Sequence, residues 1–307
     1  MTSILDAAKQ LKSQTEGRPP AAVEISPEGV LAAALPASGE TPLYAFEALP
    51  EGFVVPGVEG QNLRAADAVA NAIRTALDQV SPRTRAVTLL LPDTLVRVFM
   101  LDFDTLPAKK AEAIPVLRFR LRKMVPFDVE QAGVSYQILS QTKDECKVLA
   151  AIIPGPVLAE YEAAVRSAGY EPGAVLPSSL AAIETVDAME AVLATTLSAR
   201  GITTLIANGQ ELLLYRNVDL PDEAGERARE IERTIAVATA YYEDRLGARP
   251  AKLYYSGNRE AAEFASWIGE TELPVVELAP KPDSGTMTNL GHNSTAGVTG
   301  ALAGARA

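Results

Sequence analysis

The sequence predicts an α/β protein built as two lobes of similar plan that face a cleft. Three observations carry this reading. Short apolar runs alternate with amphipathic helical stretches along most of the chain, the pattern of sheets covered by helices. A hairpin, a long amphipathic helix, a turn containing Pro and Arg, and a short apolar strand occur in that order twice, over 21–91 and over 203–255. Identity between the two copies is negligible, so the repeat is one of pattern. A further compact α/β module over 86–139 reads as an insertion in the first lobe.

In chain order, residues 1–20 read as a flexible leader, with a short helix over 4–11 broken at 17–20. A strand over 21–25, the turn Ser26-Pro27-Glu28-Gly29 and a strand over 30–35 make a hairpin. A strand at 44–46 follows within a loop region. Over 64–80, Val69, Ile73, Leu77 and Val80 recur at helical spacing against Asp67, Asn71, Arg74 and Asp78. Strands follow over 86–91 and 96–103, then a charged helix over 109–123. Pro115 should start, kink or break that helix. After a strand over 133–139, the run 147–153 reads as a strand buried on both faces. Gly169 stops a helix over 157–168, and 170–176 is extended. A helix then starts at Pro177-Ser178-Ser179, capped by a serine, and runs to Met189 or Thr195.

The second hairpin pairs 203–206 with 211–215 across Ala207-Asn208-Gly209-Gln210, and Asn-Gly is a strong hairpin signal. The helix over 226–246 lines Ile231, Ile235, Ala238, Tyr242 and Leu246 along one face. A strand over 251–255 closes at Ser256-Gly257-Asn258, followed by a helix over 260–267 and a strand over 274–278. The chain ends in a low-complexity stretch and a helix over 295–305. These parts give a leader (1–20), a first lobe (21–85 and 147–188), an inserted unit (86–146) and a second lobe (189–283). The low-complexity stretch and C-terminal helix (284–307) return to the first lobe.

Composition narrows the chemistry. A chain of 307 residues that is 48% hydrophobic can bury two cores. A net charge of −11 argues against nucleic acid or anionic lipid as the main partner. The single cysteine, Cys146, allows no internal disulfide, which fits a reducing compartment. The single histidine, His292, lies far from it in sequence, which argues against a His/Cys metal site or nucleophile pair. No apolar run approaches the roughly 20 residues that span a bilayer, and the first residues lack the pattern of a signal peptide. The expectation is a cytoplasmic protein. Catalytic signatures such as G-x-x-x-x-G-K-[ST], G-x-S-x-G, H-E-x-x-H and C-x-x-C are absent, so no catalytic or metal-binding residue is assigned.

One basic island stands out: Lys109, Lys110, Arg118, Arg120, Arg122 and Lys123. Helical spacing puts Ile114, Leu117, Leu121 and Met124 on one face and Arg118 and Arg122 on another. A solvated face is the ordinary reading. The functional one is a docking surface for acidic partner residues or an anionic leaflet.

Several phrases carry a family resemblance: Leu91-Pro92-Asp93, Leu106-Pro107, Val125-Pro126-Phe127 and Val134-Ser135-Tyr136 around the basic helix, then Ser167-Ala168-Gly169-Tyr170, and more loosely 296–303. With the duplicated plan, they make the chain resemble the PilM family of type IV pilus assembly proteins, which is similar in turn to FtsA. The resemblance implies an actin-like (ribonuclease H-like) duplicated fold with an inserted subdomain of the type called 1C. It implies a scaffold beneath the inner membrane, held there through partners in the pilus assembly complex. That scaffold would bind the N-terminal cytoplasmic tail of a PilN-like membrane protein beside the insertion, where Val125, Phe127, Arg118 and Arg122 are the candidate contacts. A homo-oligomer is compatible with it.

In that family ATP lies between the lobes, on Asp-Ile-Gly loops and a Gly-Gly turn. Glycines admit backbone N–H groups to phosphate, and aspartates hold magnesium through water. The counterparts here are Glu24, Ser26 and Gly29 in the first loop, Asn208 and Gly209 in the second, and Gly257 in the third. They depart from the pattern. Pro27 has no N–H to give, Glu28 would repel phosphate, and the second loop has no carboxylate at the aligned position. The expectation is a degenerate nucleotide site with no cofactor, in which any ATP-Mg would depend on Glu24. The alternatives are an active actin-like ATPase and a GspL-like cytoplasmic component of type II secretion.

Overall fold

The computed structural model describes residues 17–36, 41–186, 190–209, 211–269, 273–279, 287–288, 290 and 293–305. The helix expected over 4–11 and His292 lie outside them.

The first lobe starts with β1 (Ala21–Ser26), β2 (Gly29–Ala34) and β3 (Leu43–Ala48), then α1 (Ala66–Val80) and β4 (Ala86–Leu91). A separate unit follows: β5 (Arg97–Phe103), α2 (Lys110–Leu121), β6 (Gly133–Gln141) and β7 (Cys146–Ile153). The chain then returns through α3 (Gly155–Ser167), β8 (Glu171–Pro177) and the short α4 (Ser178–Ala182). The second lobe comprises β9 (Val192–Leu197), β10 (Gly201–Asn208), β11 (Glu211–Asp219), α5 (Ala224–Leu246), β12 (Leu253–Gly257), α6 (Ala261–Trp267) and β13 (Val275–Glu277). A two-residue β14 (Met287–Thr288) and α7 (Ala296–Ala303) end the described chain.

Three sheets result, ordered β14-β3-β2-β1-β4-β8, β11-β10-β9-β12-β13 and β5-β7-β6. β1 is buried on both faces because the period-2 alternation of a strand is met by helices on each side. Val23 and Ile25 pack into a core shared with Val69, Ile73 and Leu77 of α1 and Tyr161 of α3. Ala22 faces the opposite core, which Val298, Ala301 and Leu302 of α7 complete. α1 ends where Ser81 adopts φ 47° and its N–H caps Leu77 O, just before Pro82 forbids another turn.

Four expectations change. Pro115 does not break α2: the helix runs through it, buried along Ala113, Leu117 and Leu121, and tertiary packing outweighs the lost backbone bond. β7 alternates buried and half-buried positions rather than being dry on both faces. Cys146, Val148, Ala150 and Ile152 face α2, while Leu149 and Ala151 lean on the first lobe. The helix from Ser178 is one turn plus a 3-10 turn at Ile183–Thr185, and Val192–Leu197 is strand. Its central Ala-Thr-Thr suits a pleated, buried position, and the apolar spacing alone does not separate it from helix. Finally, no serine caps α4, because Pro177 is the N-cap residue.

The missed β9 moves the register of the duplication. β1 pairs antiparallel with β2 and parallel with β4, and β4 pairs parallel with β8. β9 pairs in the same way with β10 and β12, and β12 with β13. The counterpart of the β1–β2 hairpin is therefore β9–β10, not β10–β11.

Candidate functional site

The corrected register puts five turns at one end of the two large sheets: Ser26–Gly29, Pro92-Asp93, Pro177-Ser178, Ser198–Gly201 and Gly257-Asn258. This is the cleft. Its two hairpin turns share a device. Ser26 Oγ donates to Gly29 O at 3.2 Å, and Ser198 Oγ donates to Gly201 O at 3.1 Å. Ser-x-x-Gly is thus the motif of both turns, and the residue two before the serine is Glu24 in the first lobe and Thr196 in the second.

Asn208 and Gly209 do not join them. They form the β10–β11 turn, at the opposite end of β9 from the cleft. The sequence placed them in the second nucleotide loop because the strong Asn-Gly signal was matched to the wrong hairpin. Ser198–Gly201 holds the equivalent position, and Arg227 of α5 donates to Ser198 O at 3.2 Å and Ala199 O at 2.7 Å.

The first turn is filled by its own side chains. A Cβ on Gly29 would collide with Glu47 O and stand 2.6 Å from the Phe46 ring, so close packing on β3 explains this glycine. Glu28 reaches across the cleft, where Asn258 Nδ2 donates to its Oε1 at 2.7 Å. Gly257 precedes that asparagine, and a Cβ there would lie 3.0 Å from Leu197 O.

Glu24 sits on the α7 side of the sheet. Ser178 Oγ donates to Glu24 Oε1 at 2.5 Å, and a Cβ on Gly297 would lie 2.8 Å from Glu24 Oε2. Burial, with Asp93 and Glu28 nearby as like charges, outweighs the Ser178 bond and pushes its pKa up to about 7. The folded state therefore holds a proton that the unfolded chain releases near pH 4.5, so this group's contribution to stability falls as pH rises from 4.5 to 7. A Glu24→Gln variant keeps an acceptor for Ser178. Urea titrations should show it more stable than the parent by on the order of 2 kcal/mol at pH 8, with the gap closing at pH 4.

Asp93 joins the lobes. It is 7% exposed and accepts from Ser179 N at 3.1 Å and from Thr203 Oγ1 at 2.7 Å. Thr203 also accepts from Asn217 Nδ2 at 2.8 Å. Ser179 Oγ and Tyr215 OH stand 3.2 Å apart, and Arg97 pairs with Asp219 at 3.1 Å. Burial pushes the Asp93 pKa up, against the lowering by its hydrogen bonds with Thr203 and Ser179. Asp93 appeared in the sequence within the Leu-Pro-Asp phrase, an acid closing an apolar strand. Thr203 and Asn217 carried no signal, since single polar residues in strands are ordinary.

In the inserted unit, Arg118 donates to Ala132 O at 2.9 Å and Arg122 pairs with Glu130 at 2.5 Å. Val125 and Phe127 are half-buried against the unit's own core. The four residues expected at a partner face are thus engaged within the unit, at its α2–β6 end. Among the described residues no group of acids, histidines and cysteine could hold a metal ion, and no helix is long and apolar enough to cross a membrane.

The duplicated topology has counterparts among solved structures. The chain is similar to one titled PilM-PilN type IV pilus biogenesis complex, with TM-score 0.69, 19% identity, and 94% of this chain and 99% of that chain covered. It is also similar to a Bacteroides thetaiotaomicron protein with actin-like ATPase fold and unknown function, with TM-score 0.51, 12% identity, and 92% and 94% covered. The fold is that of the actin-like ATPases. The cytoplasmic domain of EpsL, an inner membrane component of the type II secretion system of Vibrio cholerae, is similar at TM-score 0.48 and 14% identity, with 86% and 89% covered. No protein-family model and no curated protein sequence matches the chain. Glu28, Asn258 and Arg227 bridge or cap three of the five turns at the cleft.

Proposed function

We propose that the chain is a cytoplasmic scaffold of a type IV pilus assembly machine that binds the N-terminal tail of a PilN-like inner-membrane protein, with a nucleotide site too degenerate for hydrolysis. The observation that carries the reading is the similarity to the PilM-PilN structure over nearly all of both chains. Coverage of 94% of this chain supports reading the β5–β7 unit as a 1C-type insertion. The closed cleft supports the second half: Pro27 has no N–H to offer, the Glu28 carboxylate spans the gap, and Thr196 stands where a second magnesium-facing acid would be. Glu24 with a pKa near 7 is a poor anchor for a hydrated cation at neutral pH.

The tail would lie beside the insertion, gaining affinity from apolar anchors and backbone pairing. A pull-down with the tail peptide of a PilN-like protein should retain the chain. Val125→Asp, checked for folding by circular dichroism, should lower peptide affinity about tenfold, or roughly 1.4 kcal/mol. Failure of the parent chain to bind any such peptide would overturn the reading.

A further inference from the structure

The outer face of α2 is a second surface, separate from the Val125–Phe127 end. Phe119 is 76% exposed, with Val116 and Met124 also exposed. Glu112, Val116, Phe119 and Arg120 of α2 are exposed, with Lys109 just before the helix and Lys123 just after it, while Ala113, Leu117 and Leu121 enter the core. Glu112 is taken by Lys109 at 3.5 Å. Lys110, Arg120 and Lys123 have no ion pair among the described residues, and their side chains are exposed.

A protruding aromatic between unpaired cations, on a convex helix rather than in a groove, fits a surface that the ring can enter while the cations stay at its charged boundary. We propose that α2 makes a direct contact with an anionic lipid surface, Phe119 entering the acyl boundary and Arg120 and Lys123 meeting headgroup phosphates. The chain's net charge of −11 opposes this at long range. Screening confines that repulsion to about 8–10 Å at physiological salt, so the local basic face decides the orientation and the contact stays weak. The inference is independent of the peptide reading, because its test contains no peptide.

The full chain is floated with vesicles of phosphatidylcholine alone and of phosphatidylcholine mixed with phosphatidylglycerol, at low and high salt. Recovery with the anionic vesicles only, lost at high salt, is the expected result. Phe119→Ser and the pair Arg120→Ala with Lys123→Ala should each lower it about tenfold. These side chains are exposed, so circular dichroism and thermal melting should not change. No recovery with anionic vesicles overturns the proposal, as does recovery that the variants leave intact. Phe119-dependent binding to an acidic polypeptide without any to vesicles would also overturn it, in favour of a protein partner.

Discussion

Gly300→Ala should be the most damaging single methyl group in this chain. Gly300 lies on α7 against α4, and a Cβ there would collide with the backbone of Ala181, whose carbonyl oxygen stands well inside van der Waals reach. A flexible side chain could move aside, but a helix backbone cannot without carrying α4 with it. α4 holds Ser178 and Ser179, so the strain would reach Glu24 and Asp93. Overpacking of a tight core costs about 1–3 kcal/mol, and a backbone collision belongs at the top of that range. Denaturant unfolding should show a loss of about 3 kcal/mol, larger than that of Gly57→Ala, where a Cβ would meet Glu59 O at an ordinary van der Waals distance of 3.6 Å. Equal effects at the two sites would show that α7 does not pack as described.

Asp93→Ala should come next. Its carboxylate accepts from Ser179 N and Thr203 Oγ1, and both residues are almost fully buried. Removing it leaves two donors without an acceptor, each costing about 1–3 kcal/mol, partly offset because a buried carboxylate is itself disfavoured. The net expectation is a loss of about 2–3 kcal/mol. Asp93→Asn retains one acceptor and should lose less. Because Asp93 bridges the lobes, the alanine variant should also raise hydrogen exchange along β10 beyond what global unfolding explains. A uniform change across both lobes would contradict a local bridging role.

The legible part of this chain was its periodicity. Val69, Ile73, Leu77 and Val80 identified α1, and Ile231, Ile235, Ala238 and Tyr242 identified α5, since both helices bury a single stripe. The two-lobed α/β plan followed from the order of such elements. What failed was the short, buried strand β9, whose Val-Leu-Ala-Thr-Thr-Leu has no alternation to read because both its faces are covered. That miss displaced the second loop from Ser198–Gly201 to Asn208-Gly209. The first loop was legible in part. Glu28 reaches across the cleft and Glu24 sits on the α7 side of the sheet, and the partners that define their state, Asn258 and Ser178, come from distant parts of the chain. Pairings across such separations leave no local pattern. The basic helix was found, but the partners of its cations were not legible: Arg118 donates to Ala132 O and Arg122 pairs with Glu130, while Arg120 and Lys123 are exposed.

The most direct test of the scaffold reading is calorimetric titration of the PilN-like tail peptide into the full chain, with and without ATP and magnesium. A closed, degenerate cleft predicts the same peptide affinity in both buffers, and no nucleotide binding tighter than about 10 µM, or roughly −7 kcal/mol. Peptide binding that appears only with ATP and magnesium, accompanied by phosphate release, would contradict it and make the chain a working ATPase.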